Sequence, residues 1–298
     1  MGFSRTDCNF VSHGDNCSAR LYMPEGVAKP PLIVMAHGLG GLKNCGLEPF
    51  AELFANNGFA VLLFDYRGFG ESQGNPRQLI SPRKHIEDYL AAVKWARELK
   101  DINPGKIALW GTSYSGGHAI AAAAKDQKIA AVSVQVPFVD GLASAIPIVV
   151  KNGPGYFFKA VSSVLKDFWM ALTARRPYLV PICGAPNEFA VLNTRDSKTG
   201  YESLIPAGFN PINATPARVF LSLPLYRPVR LARRVKCPAL IIAGENDSLI
   251  PIEAVKKTAA KIKRAEFVSL PIGHFAPYSG ETFESVSQKQ LEFFKAHL

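Results

Sequence analysis

Short apolar runs rich in β-branched residues alternate with amphipathic stretches along most of this 298-residue sequence, and that rhythm constrains the fold more than any other feature. The runs PLIVMAHG (31–38), AVLLFDYRG (60–68), KIALWGTS (106–113), AAVSVQVPF (130–138), PALIIAGEND (238–247) and EFVSLPIGH (266–274) are short and almost wholly apolar, as strands buried on both faces must be. Between them, 47–57, 82–99, 117–125, 252–263 and 282–297 read as amphipathic helices. Strand and helix in alternation imply a mostly parallel sheet with helices on both faces. Two earlier runs, 8–11 and 18–23, read as an antiparallel start and bring the expected sheet to eight strands.

The rhythm stops at Asp140 and resumes after Arg234, and Pro, Gly and aromatic residues crowd the interval. Structureless connections beyond ~12–15 residues are uncommon in compact domains. The segment 140–234 therefore reads as a partly helical cap inserted between the sixth and seventh strands, with 1–139 and 235–298 as the core. A hydrophobic content of 48% supports one large core rather than two small ones.

A net charge of +10 raises the question of nucleic acid or a membrane surface as partner. Lys and Arg are spread from Arg20 to Lys295, however, and the densest group, from Lys256 to Arg264, is the polar face of a helix. Neither nucleic acid nor a membrane is expected as a partner; an anionic substrate or carrier fits the charge better. No stretch approaches the ~18–20 apolar residues that span a bilayer, and the start lacks a signal-like run, so a cytoplasmic protein is expected. The end Ala296-His297-Leu298 loosely resembles a peroxisomal address, but a helix end accounts for it. Cys8, Cys17, Cys45, Cys183 and Cys237 are scattered, with no metal or dithiol spacing, and read as reduced structural thiols. No metal or cofactor is expected, and the chain is expected to be a monomer or homodimer.

Trp110-Gly111-Thr112-Ser113-Tyr114-Ser115-Gly116-Gly117 lies between a strand and an Ala-rich helix. A nucleophile on a tight strand-to-helix turn needs small residues two positions away on each side, because the turn brings backbone segments together. Gly111 and Ser115 meet that need, although the usual G-x-S-x-G has glycine at the fifth position. The helix amino terminus behind Ser113 favours a developing anion.

A serine hydroxyl needs a base, and the base needs an acid that fixes its tautomer. Of six histidines, His274 follows the last strand in a Gly-flanked loop. His13 and His297 lie near the termini, His85 starts a polar helix, His118 is on the helix after Ser113, and His37 reads as a scaffold residue. Asp247 ends the preceding strand, giving the chain order Ser, Asp, His; Asp140 and Glu245 are rival acids. His37-Gly38-Leu39-Gly40-Gly41 follows the first long strand, so the backbone N–H groups of Leu39 and Tyr114 are the expected oxyanion donors. The run Asp65-Tyr66-Arg67-Gly68 reads as a structural turn with Asp65 and Arg67 paired.

H-G-x-G-G, D-Y-R-G-F-G-x-S, W-G-T-S-Y-S-G-G, G-E-N-D-x-x-x-P and G-H-F, in that order, resemble the α/β-hydrolase superfamily over nearly the whole chain. Within it, Gly-Thr-Ser-Tyr-Ser-Gly-Gly-His and Asn75-Pro76-Arg77-Gln78 resemble a branch of dienelactone-hydrolase-like proteins, fungal secondary-metabolite hydrolases and polyketide transferases. The resemblance implies an α/β-hydrolase fold with an inserted helical cap, and roles for Ser113, Asp247 and His274 matching those argued above. The expected activity is cleavage of an ester, lactone or thioester of a hydrophobic acyl compound, free or carrier-bound, through an acyl-serine intermediate. An acyltransferase passing that acyl group to an alcohol or amine is the alternative, and a non-catalytic small-molecule receptor is a second. Most cap aromatics are expected to pack cap on core; Phe158, Phe168 and Trp169, with Phe138 from the core, are expected to line the acyl site.

Overall fold

The computed structural model describes residues 2–173 and 175–298. The chain opens with a hairpin of β1 (Phe3–Ser12) and β2 (Asp15–Pro24), in antiparallel register from Phe3 opposite Pro24 to Ser12 opposite Asp15. The turn is His13-Gly14, both at positive φ (48° and 88°), a geometry whose twist matches that of the strands it joins.

The alternating part follows: β3 (Leu32–Ala36), α1 (Glu48–Asn56), β4 (Ala60–Phe64), α2 (Pro82–Glu98), β5 (Ile107–Thr112), α3 (Tyr114–Lys125) and β6 (Ala131–Gln135). The inserted segment contributes α4 (Gly141–Leu172), β7 (Leu179–Val180), α5 (Ser197–Ser203), β8 (Thr215–Pro216) and α6 (Val219–Leu225). The chain then returns through β9 (Ala239–Gly244), α7 (Ile252–Ala259), β10 (Ala265–Leu270) and α8 (Gly280–His297). Among the described residues, eight strands form one sheet in the order β1-β2-β4-β3-β5-β6-β9-β10, antiparallel through β1, β2 and β4 and parallel from β4 onward. The expected eight-stranded, mostly parallel sheet is thus present.

Alternation along the central strands feeds two cores. Ile33 and Met35 join Phe50 and Phe54 of α1 and Phe294 of α8 on one face. Leu32, Val34 and Ala36 join Tyr89 of α2, Ile120 of α3 and Val255 of α7 on the other. The sheet ends at β10, which is only half-buried because it is an edge, where the sequence suggested burial on both faces. In the inserted segment, α4 breaks at Gly153 (φ 78°), the residue before Pro154. Its inner side is held by Asp167, which accepts hydrogen bonds from the Tyr178 and Arg218 amides and pairs with the Arg218 guanidinium at 2.6 Å. Cys17, Cys45, Cys183 and Cys237 are buried unpaired thiols. Burial pushes Cys45 and Cys237 up to about 11, so they stay protonated at neutral pH and behave as small apolar side chains.

Candidate active site

The sheet order places the site. From β3 the chain leaves toward β4, and from β5 it leaves toward β6 on the other side. The loops after β3 and β5 therefore diverge and leave a crevice at the carboxyl edge of the sheet. Leu39 is on the first of these loops and Ser113 on the second.

Ser113 has φ 52° and ψ −120°, a strained conformation for a residue with a side chain. Two backbone bonds hold it: its N–H donates to the Gln135 carbonyl at 3.0 Å, and the Phe138 N–H donates to its carbonyl at 2.8 Å. Gly111 is required because a Cβ there would collide with the Ser115 carbonyl, and at Gly117 a Cβ would collide with that of Phe138. Ser115 replaces the usual glycine for a reason the sequence did not disclose. Its buried hydroxyl donates to the Ala36 carbonyl at 2.7 Å and accepts from the Thr112 N–H at 2.9 Å, tying the turn to the end of β3.

His274 Nε2 lies 2.9 Å from Ser113 Oγ, and His274 Nδ1 lies 2.7 Å from Asp247 Oδ2. Both side chains of the second pair are almost fully buried. The other oxygen of Asp247 accepts from the Leu249 and Ile250 amides, each at 2.8 Å, so the carboxylate is anchored before it meets the ring. The rival acids are engaged elsewhere. Asp140 accepts from the Leu142 amide and pairs with Arg227 at 2.7 Å, and Glu245 accepts from the Ser269 hydroxyl. Leu39 and Tyr114 both border Ser113 in the crevice. Among the described residues neither of their amides is a donor to a backbone carbonyl, which leaves both N–H groups for a ligand.

Two cavities meet at Ser113. The larger, about 350 Å³, runs under α4 and α6 between Phe138, Ile148, Ala160, Phe220 and Leu223. The smaller, about 40 Å³, lies on the His274 side between Tyr201, Ile205 and Tyr278. Phe138 lines the larger cavity as expected, but Phe158, Phe168 and Trp169 do not, which corrects the sequence reading. Helix phase is the reason: Tyr156, Phe157 and Ala160 of α4 reach the cavity, whereas Phe158 is 68% exposed. Trp169 stacks under the Arg175 guanidinium, and Phe168 lies below that of Arg218.

A further correction concerns the pairing of two polar residues. Asp65 does not pair with Arg67. It binds the buried Lys43 ammonium at 3.1 Å, while Arg67 reaches across to Asp88 and Glu87 on α2. His85 lies near the start of α2, on its buried side, and stacks on Tyr66 at 4.1 Å. A polar neighbour of His274 was also missed. Asp196, in the inserted segment, accepts from the Ser248 and Thr194 hydroxyls. Burial works against its ionisation, but those hydroxyls and the nearby His274 hold its carboxyl below the usual range. At the start of α5 it reads in sequence as an ordinary helix-capping residue, so no local signal set it apart.

His37, His85 and His118 are buried behind the elbow, and desolvation lowers all three, with mutual repulsion adding at His85 and His118 while Asp65 opposes the shift at His37. The unfolded chain takes up protons on these rings near pH 6.5 and the folded chain does not. Stability therefore falls as pH drops below about 6.5, by up to about 1.4 kcal/mol per pH unit for each ring. Denaturant midpoints measured at pH 7.5, 6.5 and 5.5 are expected to decline over the last interval; a flat profile would contradict the neutral, buried assignment.

Residues 13–153 match the X-Pro dipeptidyl-peptidase (S15) family. The quorum-quenching protein AidA of Acinetobacter baumannii is 39% identical over 97% of this chain and 94% of its own length. The thiohydrolase aneE of Aspergillus aculeatus is 45% identical over 41% of this chain and 37% of its own. The crystal structure of the α/β hydrolase GrgF from Penicillium superposes with a TM-score of 0.82 at 24% identity, covering 99% of both chains; the Penicillium polyketide transferase grgF is 34% identical over 46% of each chain.

Proposed function

Because this chain belongs to the α/β-hydrolase superfamily, in the branch that holds fungal thiohydrolases and polyketide transferases, we propose that it cleaves an ester, lactone or thioester of an apolar acyl group through an acyl-Ser113 intermediate. His274 Nε2 takes the hydroxyl proton as Ser113 Oγ attacks the carbonyl carbon. The Leu39 and Tyr114 amides hold the resulting oxyanion. His274 then protonates the leaving alcohol or thiol, and a water activated by the same ring releases the acid and restores the serine. Asp247 keeps the Nδ1 proton in place and offsets the charge of the imidazolium. The observation that carries this reading is the unbroken hydrogen-bonded chain Ser113–His274–Asp247 opening onto an apolar cavity.

Cavity dimensions support an order for the two sides. About 350 Å³ falls within the ~300–1,000 Å³ of small-molecule sites, so the larger side suits an extended apolar acyl group. Among the described residues no charged side chain lines that side, which disfavours an amine-bearing peptide end. The smaller side, about 40 Å³, suits a compact leaving group and then water, since one water needs only ~10–15 Å³. Transfer to a small alcohol is the second reading that this cavity favours. Assays of acyl esters and thioesters with and without added alcohols separate the two: predominance of transfer products in water would replace hydrolysis by transfer. No turnover at all by folded protein would leave only a receptor.

Chain-length preference tests the larger cavity. Ala160 is on its wall, and Ala160→Trp is expected to lower kcat/KM for a decanoyl ester about 10- to 100-fold more than for an acetyl ester. An unchanged ratio between the two esters would mean that the acyl chain lies elsewhere.

A further inference from the structure

From the cavity wall outward, α4 carries a run of exposed apolar side chains. Phe157, Val161, Leu165, Phe168 and Leu172 recur three and four residues apart, so they form one stripe along the helix. All five are exposed, Leu165 at 65% and Leu172 at 86%, and Phe158 and Trp169 flank them at 68% and 52%. The inner side of the same helix is occupied by Ala160, Ser163 and the Asp167–Arg218 pair. Phe157, Val161 and Leu165 also border the larger cavity, but Phe168 and Leu172, with Phe158 and Trp169 beside them, do not, and an exposed apolar surface of this extent marks contact with another apolar phase.

Charge identifies that phase. Lys159 and Lys166 of α4 stand over the Phe189 and Tyr178 rings, away from the stripe, but Arg175 and Arg176 are exposed just past its end, Arg175 over Trp169, and the single carboxylate of α4 is the buried Asp167. Across residues 140–234, twelve Lys and Arg stand against five Asp and Glu, so most of the chain's net charge of +10 resides in this segment. A second copy docked on the stripe about a two-fold axis would set one basic segment against another with no exposed acid on the helix to answer it. A surface that is apolar within and negative at its face satisfies both features: aromatic and aliphatic groups enter the acyl layer, and the guanidinium groups beside the stripe meet headgroup phosphates.

We propose that α4 docks this protein on an anionic lipid surface, lying in the headgroup plane. It does not cross the bilayer, since among the described residues no helix is long and apolar enough to do so. The spread of Lys and Arg along the sequence had argued against a membrane partner, but lying on a membrane needs only one apolar side with basic groups beside it. Phe157, Val161 and Leu165 belong both to the stripe and to the lining of the larger cavity. An apolar ligand dissolved in the lipid thus reaches the cavity without passing through water.

The test is co-sedimentation of the full chain with vesicles of phosphatidylcholine alone and of phosphatidylcholine mixed with phosphatidylglycerol. Binding to the mixed vesicles is expected to exceed that to the neutral ones by about tenfold and to weaken at high salt. Phe158→Glu with Trp169→Glu, both outside the cavity, is expected to lower binding by at least about tenfold, and Arg175→Glu with Arg176→Glu to remove the preference for phosphatidylglycerol. Circular dichroism and melting temperature report on folding; should the first pair fail to fold, Leu172→Glu replaces it. Ser113→Ala is expected to bind as the native chain does, so this result stands apart from the acyl chemistry. Folded protein that stays in the supernatant, or binds neutral and anionic vesicles equally, overturns the proposal. So does a dimer in sedimentation that the Phe158 and Trp169 variant converts to monomer without any vesicle binding.

Discussion

Ser113→Ala is expected to lower kcat for an acyl ester by a factor on the order of 10⁵–10⁶, with the fold and the ligand affinity retained. The magnitude follows from removing the attacking atom while the oxyanion donors remain, which leaves roughly 10³–10⁴ over water. His274→Ala is expected to lose about as much, and the double variant little more, because Ser113 Oγ and His274 Nε2 act as one unit across 2.9 Å. Steady-state turnover of all three variants, with fluorophosphonate labelling of the native chain lost in Ser113→Ala, checks this. A Ser113→Ala enzyme within tenfold of the native rate would mean that another group is the nucleophile.

Asp247→Asn is expected to lower kcat by about 10⁴-fold without comparable loss of stability. An asparagine oxygen still accepts from the Leu249 and Ile250 amides, so the loop keeps its shape. The amide nitrogen then faces His274 Nδ1 as a donor, which leaves the ring proton on Nε2, where it cannot accept from Ser113. Asp140→Asn is the control. Its carboxylate pairs with Arg227 at 2.7 Å and caps α4, so its loss is expected to affect activity by less than about tenfold and stability by no more than about 1 kcal/mol. Equal kinetic losses in the two variants would return the choice of acid to the open question that the sequence posed.

The residues that were legible share one property. Ser113, Asp247 and His274 each follow a strand, and a strand is recognisable from a handful of neighbours. Turn chemistry added the rest: glycine at 111 announces a close approach of backbone, and glycine at 273 an open loop. Ser115 was readable as small, yet its bond to Ala36 O depends on β3 lying beside β5, which no local pattern records. Asp65 and Arg67 were misread as partners because they are neighbours in sequence, whereas their partners arrive from the loop at Lys43 and from α2. Asp196 was missed for the same reason, since only the approach of the inserted segment to Ser248 gives it a place beside His274.

By itself, then, the sequence determined the eight-stranded sheet, its parallel centre, the break in rhythm at Asp140 and the placing of Ser113, Asp247 and His274 after successive strands. Periodicity and turn residues express short-range sterics and burial, and these are written within a few positions of each element. Tertiary structure alone decided the phase of α4, which turns Phe157 and Ala160 toward the cavity and leaves Phe158 and Trp169 facing outward. An apolar helix with two apolar sides carries no local mark of which side is covered. That choice is made by what packs against it, and here Arg218 and the buried Asp167 hold the inner side.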